Sequence, residues 1–402
     1  MAAPPHAPRH GAADARHRAP RGRRAGSGVS TVSDSTAARS TVIRTAVVGL
    51  GWAGRSIWLP RLAADPAYEV VAVVDSDAAT RAAAGSGLRA YADVGELSPA
   101  DVDLAVVAVP NHLHSEVACR LLRRGVSVFV EKPVCLDRAE VAELAAAERG
   151  GGAVLLAGSA ARYRADVAAL LAAAGRIGRV RHVDLSWVRA RGVPDAGGWF
   201  TRRRLSGGGA LVDLGWHLFD AVAPLLGPVS FPQVVGAVSD DFIREAAHGA
   251  SWRHDADPAP GSAGGGDVED TARGFLVTED GVSVTLHASW ASHEPLDSTV
   301  VRVEGSAGTA TLRCTFGFSP NRAGGSALTV LRDGRTVPAD LDDEPVGTEY
   351  DRQLGAVREQ LADPDARGRA IAEAGRTIAA IERFYASVER TRRPEAALAA
   401  GR

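Results

Sequence analysis

The chain has 402 residues, 46% of them hydrophobic, enough to bury a large core and to divide it between two domains. Its formal net charge of −2 leaves no surplus of positive charge for a nucleic acid or an anionic membrane surface. The three cysteines, Cys119, Cys135 and Cys314, have no CxxC spacing, which argues against a disulfide framework or a zinc site and fits a reducing cytoplasm.

Residues 1–41 are rich in Ala, Arg, Pro, Gly and Ser, with only Asp14 and Asp34 as acids. A disordered tail outside the fold is expected there, although an Arg- and Ser-rich leader also imitates a transit peptide. Beyond it, no apolar run approaches the roughly 20 residues of a membrane helix. Organised sequence begins with the short apolar strand Ile43 to Val48, which runs into Gly49-Leu50-Gly51-Trp52-Ala53-Gly54. A GxGxxG between a strand and a helix is the context for a dinucleotide: the glycines allow the tight turn, the approach of a pyrophosphate and close helix–strand packing. The next strand, Val70 to Val74, ends at Asp75, about 20 residues past Gly54, where a carboxylate grips a ribose 2′-hydroxyl. Asp75 favours NAD over NADP by repelling a 2′-phosphate, with Arg81 near enough in sequence to weaken that preference.

A third strand, Leu104 to Val109, ends in Pro110-Asn111-His112-Leu113-His114. His114 either lines the cofactor or bonds backbone at a helix start. The fourth strand, Val126 to Val130, leads into Glu131-Lys132-Pro133. Lys132 is the only lysine among 46 Lys and Arg residues. A compact ammonium retained against so strong a preference for Arg suits a site that shares a proton with a small substrate. A helix over Asp137–Glu148 and a strand over Ala153–Ala157 complete a β-α-β alternation, which predicts a doubly wound parallel sheet over residues 42–158.

The pattern then changes to that of a second α/β domain, residues 159–392, with a mainly antiparallel open sheet. Ala165 to Ala174 is helical, and Val180 to Arg189 alternates with Val183, Leu185 and Trp187 on one face. A long surface loop is expected over 248–267. The apolar face Val282, Val284, Leu286, Ala288 and Trp290 opens a run of strands that continues at Val300–Glu304, Thr309–Arg313 and Leu328–Leu331. Two helices, near Tyr350–Leu361 and Gly368–Arg390, end the fold. Between these stretches, Gly207-Gly208-Gly209 opens a helix carrying Asp213 and His217 four residues apart. On one helical face such a carboxylate orients an imidazole as a general base. A capping Asp beside a core histidine is the simpler reading of that pair taken alone, and a metal would lack a third ligand.

Together, Gly49-x-Gly51-x-x-Gly54, Pro110-Asn111-x-x-His114, Glu131-Lys132-Pro133 and Gly207-Gly208-Gly209-x-Leu211-x-Asp213-x-Gly215-x-His217-x-x-Asp220 resemble the Gfo/Idh/MocA oxidoreductases in order and spacing, over about residues 43–390. The resemblance implies a Rossmann domain plus an α/β domain whose sheet forms a homodimer or homotetramer interface, and hydride transfer between NAD(P) and a sugar or cyclitol carbinol. It makes Lys132, Asp213 and His217 the catalytic set, with no metal. Gly49, Gly51, Trp52, Ala53, Gly54, Asp75, Pro110, Asn111, His114, Glu131, Lys132 and Pro133 are then the expected cofactor positions, and Arg162, Tyr163 and Trp199 join the catalytic set as expected substrate contacts. The expected reaction is NAD-dependent oxidation of a secondary hydroxyl of a sugar, cyclitol or aminoglycoside-type substrate, in a secondary-metabolite pathway. The alternatives are reduction of a nucleotide-linked keto sugar, with a diphosphate patch drawn from Arg162, Arg189, Arg191 and Arg202 to Arg204, an NAD-dependent glycosidase, and a sugar-sensing regulator.

Overall fold

A computed structural model describes residues 42–84, 87–194, 198–250 and 266–399. The tail expected over 1–41 lies outside them, as does most of the loop expected over 248–267. Strands β1 (Ile43–Val48), β2 (Tyr68–Val74), β3 (Arg89–Tyr91), β4 (Leu104–Val107), β5 (Ser127–Val130) and β6 (Leu155–Ala157) form one sheet in the order β3-β2-β1-β4-β5-β6. Every pair in it is parallel. All four residues of β4 are buried, as expected of a strand covered on both faces. The strand order reverses between β1 and β4, so the glycine turn after β1 and the Pro110 loop after β4 flank the switch point where such sheets bind ligands.

The second sheet has eight strands: β7 (Val180–Val188), β8 (Gln233–Ser239), β9 (Thr271–Val277), β10 (Ser283–Ser289), β11 (Ser298–Gly305), β12 (Gly308–Cys314), β13 (Ala327–Arg332) and β14 (Arg335–Ala339). Their order is β14-β13-β12-β11-β7-β10-β9-β8, and only β7 and β10 pair in parallel. The sheet is therefore mainly antiparallel, as the alternation implied. Val183, Leu185 and Trp187 face inward, as do Val284, Leu286, Ala288 and Trp290. The opposite face is open, with Val235 65% and Phe275 46% exposed.

β8 is absent from the sequence reading because its inward positions include Gly236, which blanks the apolar alternation. A Cβ there would lie 2.6 Å from Phe384, whose ring also fills the space over Gly274. The helix Thr348–Ala362 returns to the first sheet, where the Tyr68 hydroxyl donates to the Leu354 carbonyl at 2.5 Å. Leu354 and Val357 join Val47, Val73 and Phe129 in one buried cluster. Among the described residues one helical stretch, Arg203–Leu226, is long and apolar enough by length and composition alone to cross a membrane. With 72% of its apolar window buried inside the protein, it is the core helical segment that carries the site.

Candidate active site

The turn after β1 is built as the GxGxxG requires. Gly49 has φ +89°, and a Cβ on it would meet the Ala108 backbone at 2.7 Å; one on Gly54 would lie 2.0 Å from the Gly49 carbonyl oxygen. At Gly51 a Cβ would meet nothing, so that position faces open space at the switch point. This cradle fits a dinucleotide pyrophosphate, which needs bare backbone to approach. The segment after it, Ala53–Trp58, winds as a π-helix, and the Trp52 ring packs edge-on against Phe318 at 5.4 Å. Asp75 closes the turn: its carboxylate accepts from the backbone N–H of Leu50 at 2.8 Å and of Asp77 at 2.9 Å, which leaves acceptor capacity for a hydroxyl. Arg81 folds back onto the carbonyls of Asp75 and Ser76, at 2.7 and 3.0 Å.

The Pro110 loop is tied down rather than open. Asn111, buried, donates from its amide to the Ser206 carbonyl at 3.0 Å, linking this loop to the turn that precedes Gly207. His114 is 1% exposed, with Nδ1 2.7 Å from the Pro133 carbonyl oxygen and Nε2 2.8 Å from that of Val109. It therefore bonds backbone, the second of the two readings its sequence left open. Burial lowers its pKa, and the two carbonyls offset part of that. Both carbonyls are acceptors, so a neutral ring donates its one N–H to either Pro133 or Val109, and the ring sits between the segments that follow β4 and β5. Glu131 accepts from the Trp58 indole at 2.8 Å and from the Lys132 backbone N–H at 3.0 Å.

Lys132 then reaches across to the helical segment behind Gly207-Gly208-Gly209. Its Nζ donates to Asp213 Oδ1 at 2.5 Å, with both side chains largely buried. Asp213 Oδ2 accepts from the Trp290 indole at 2.9 Å and lies 3.9 Å from an Arg189 guanidinium nitrogen. The glycine turn is closed by Glu269, whose buried carboxylate accepts from the N–H groups of Gly209 and Leu211, each at 3.0 Å, and from the Tyr385 hydroxyl at 2.7 Å. A Cβ on Gly209 would lie 1.8 Å from the Glu269 carbonyl oxygen, so only glycine lets this turn seat. An acid at the start of a helix complements the exposed N–H groups there.

His217 departs from expectation. No hydrogen bond joins it to Asp213, whose oxygens face Lys132 and Trp290. A full ammonium outcompetes an imidazole for a buried carboxylate. Among the described residues the His217 ring has no hydrogen-bond partner, and it lies 5.6 Å from the Trp187 ring. Burial lowers its pKa to about 3, Lys132 and Arg189 push the same way, and Asp213 opposes them. The His217 ring is thus neutral at neutral pH, and burial rather than Asp213 sets its charge.

Two expected substrate contacts are engaged elsewhere. The Arg162 guanidinium pairs with Asp220 and, at 2.9 Å, with Glu373, and the Tyr163 hydroxyl accepts from the Gln360 amide at 3.3 Å. Both positions hold helices together, because a buried Asp220 needs a cation and Arg162 is the one that reaches it. Trp199 remains close: its ring packs on Phe200 at 4.7 Å, and Phe200 on Trp290 at 6.1 Å. Among the described residues no cluster of three or more His, Cys, Asp or Glu is placed to hold a metal. Trp290 and Glu269 were not singled out as site residues by their sequence, since each reads as part of a strand or its flank, and Arg189, expected only in a diphosphate patch, lies 3.9 Å from Asp213.

Residues 43–159 match the model of the GFO/IDH/MocA oxidoreductases with an NAD-binding Rossmann fold, and residues 167–311 match the family's C-terminal domain. The chain belongs to the GFO/IDH/MocA family. It is an NAD(P)-dependent oxidoreductase, as the family's cofactor domain requires. A protein of Amycolatopsis mediterranei (strain S699), provisionally named UDP-kanosamine synthase oxidoreductase subunit, is 58% identical over 86% of this chain and 96% of its own length. The D-glucoside 3-dehydrogenase of Escherichia coli (strain K12) is 28% identical over 64% of the chain and 72% of its own. Among solved structures, GenD2 from gentamicin A biosynthesis, in complex with NAD, shares the fold with a TM-score of 0.68 at 24% identity, over 87% of this chain and 95% of that one.

The site predicts a pH dependence of stability. An unfolded histidine takes up its proton near pH 6.5, whereas folded His217 refuses it down to about 3. The unfolded state therefore binds more protons in that window, and the stability held above 6.5 is lost as pH falls towards 3. His287, lowered to about 4 by burial and then Arg273, adds in the same direction. The Tm should fall from pH 7 to pH 4.5, and less steeply in His217→Asn. Equal slopes in the two proteins would show that His217 is not buried neutral.

Proposed function

We propose that the chain oxidises a secondary hydroxyl of a nucleotide-linked hexose with NAD, giving the keto sugar that an amination step consumes. The observation that carries the chemistry is the Lys132–Asp213 pair with a neutral His217, just past the carboxyl end of β5 in the sheet whose β1 leads into the dinucleotide turn. The substrate class follows the likeness to the Amycolatopsis protein, since making an amino sugar from a hydroxyl requires a ketone first. The exposed Arg191, Arg202 and Arg204 flank the site in sequence and supply positive charge for a diphosphate. Asp75, with Arg81 committed to backbone carbonyls, favours NAD over NADP.

The nicotinamide, when bound, supplies the hydride acceptor. The Lys132 ammonium hydrogen-bonds the carbinol oxygen and stabilises the charge that develops on it, while a ring nitrogen of His217 takes the hydroxyl proton. Asp213 holds Lys132 in place. Gly49, Gly51, Gly54, Asp75, the Pro110 loop and Glu131 frame the cofactor, and Trp199 borders the sugar. The protein works in the cytoplasm as an assembly of identical copies packed through the open face that bears Val235 and Phe275.

Absorbance at 340 nm, with NAD or NADP and a panel of UDP-hexoses, glycosides and cyclitols, tests this reading; light scattering on the same sample reads the assembly. A rise with NAD and UDP-hexoses is expected. A rise confined to simple glycosides would instead favour the second reading, supported by the likeness to the D-glucoside 3-dehydrogenase.

A further inference from the structure

The geometry points to Trp290 as a positioning residue that holds Asp213 against Lys132. The inference rests on the proposed roles of Lys132 and Asp213. Trp290 follows the last residue of β10, is 0% exposed, and is fixed by its backbone N–H on the Asp270 carbonyl at 2.8 Å. Its indole N–H donates to Asp213 Oδ2 at 2.9 Å, which leaves Oδ1 to receive the Lys132 ammonium at 2.5 Å. Asp213 is 8% exposed, so water cannot substitute freely for either donor. A buried carboxylate that loses a donor either takes a proton or turns, and in both cases its grip on Lys132 weakens. The Arg189 guanidinium stands 3.9 Å from the same Oδ2, so the indole N–H at 2.9 Å is the shorter of the two contacts on that oxygen. Phe200 packs on the Trp290 ring, so the indole is aimed from behind as well.

Lys132 is the only lysine in the chain, which makes its reactivity readable at one peptide. The test is the rate of acetylation of Lys132 by acetic anhydride at neutral pH, followed by mass spectrometry without substrate. Asp213→Asn should raise the rate by freeing the amine. Trp290→Phe keeps a ring but removes the N–H, and it should raise the rate roughly tenfold or more. Trp290→Phe added to Asp213→Asn should change nothing further, because Trp290 acts through Asp213. A packing role alone leaves the rate of Trp290→Phe at that of the intact protein. That result, with Asp213→Asn raised, overturns the inference alone. No change in either variant overturns the Lys132–Asp213 pairing as well. Where Trp290→Phe does not fold, NMR decides: one of the seven tryptophan indole N–H signals should move in Asp213→Asn, and none moving overturns the inference.

Discussion

Lys132→Arg should lower kcat by roughly 10²-fold to 10⁴-fold while NAD binding stays within a few-fold of the intact protein. The substitution keeps the positive charge and matches the residue this chain uses almost everywhere else for a cation. It changes the shape. Lys132 offers a compact ammonium that touches Asp213 Oδ1 at 2.5 Å and keeps other donor directions for a substrate oxygen. A planar guanidinium in the same space fixes its remaining donors in its own plane once it pairs with the carboxylate, so it cannot turn one towards a carbinol as an ammonium can. Lys132→Met removes the charge as well and leaves Asp213 with the more distant Arg189, at 3.9 Å, as its cation, so it should also lose stability, by at most about 3–5 kcal/mol. Near-normal turnover in Lys132→Arg would show that charge alone suffices and that Lys132 has no special place in the chemistry.

The second large effect separates two glycines three residues apart. Gly54→Ala puts a methyl 2.0 Å from the Gly49 carbonyl oxygen, where helix and strand backbones cross. Neither backbone can yield cheaply, so the Tm should fall by several degrees or the protein should fail to fold. Gly51→Ala meets no atom of the protein, and the Tm without cofactor should stay within about a degree. Its methyl instead occupies the space a pyrophosphate needs, so NAD affinity should fall at least about tenfold. Thermal shift with and without NAD reads both. A Gly51→Ala protein that binds NAD as tightly as the intact chain would mean that this turn does not carry the dinucleotide.

The parallel sheet was legible because its strands are short apolar runs separated by helices, and local pattern suffices when a strand is buried on both faces. β3, of three residues, was too short to show a pattern, and β8 was hidden by a glycine that makes room for Phe384. The motif residues were legible as a set, since Lys132 and the glycine turns stand out from composition and spacing and the family resemblance adds Asp213. Their partners were not. Trp290 reads as the end of an apolar face, and only the packing of the Leu211–Gly215 segment against β10 brings its indole to Asp213, 77 residues earlier in the chain. Glu269 lies 60 residues beyond the turn it closes.

By itself, then, the sequence determined the dinucleotide turn, the lone lysine and the two kinds of sheet, because these depend on local sterics, on residue chemistry and on the periodicity of burial. Only the tertiary structure decided what each polar group bonds. It gave Asp213 to Lys132 and Trp290 instead of His217, and Arg162 to Asp220 instead of a substrate. It made His114 a clamp between two loops and left His217 neutral. The physical reason is that a buried charge takes the strongest donor or acceptor within reach, and reach is set by which distant strands and helices the fold places side by side.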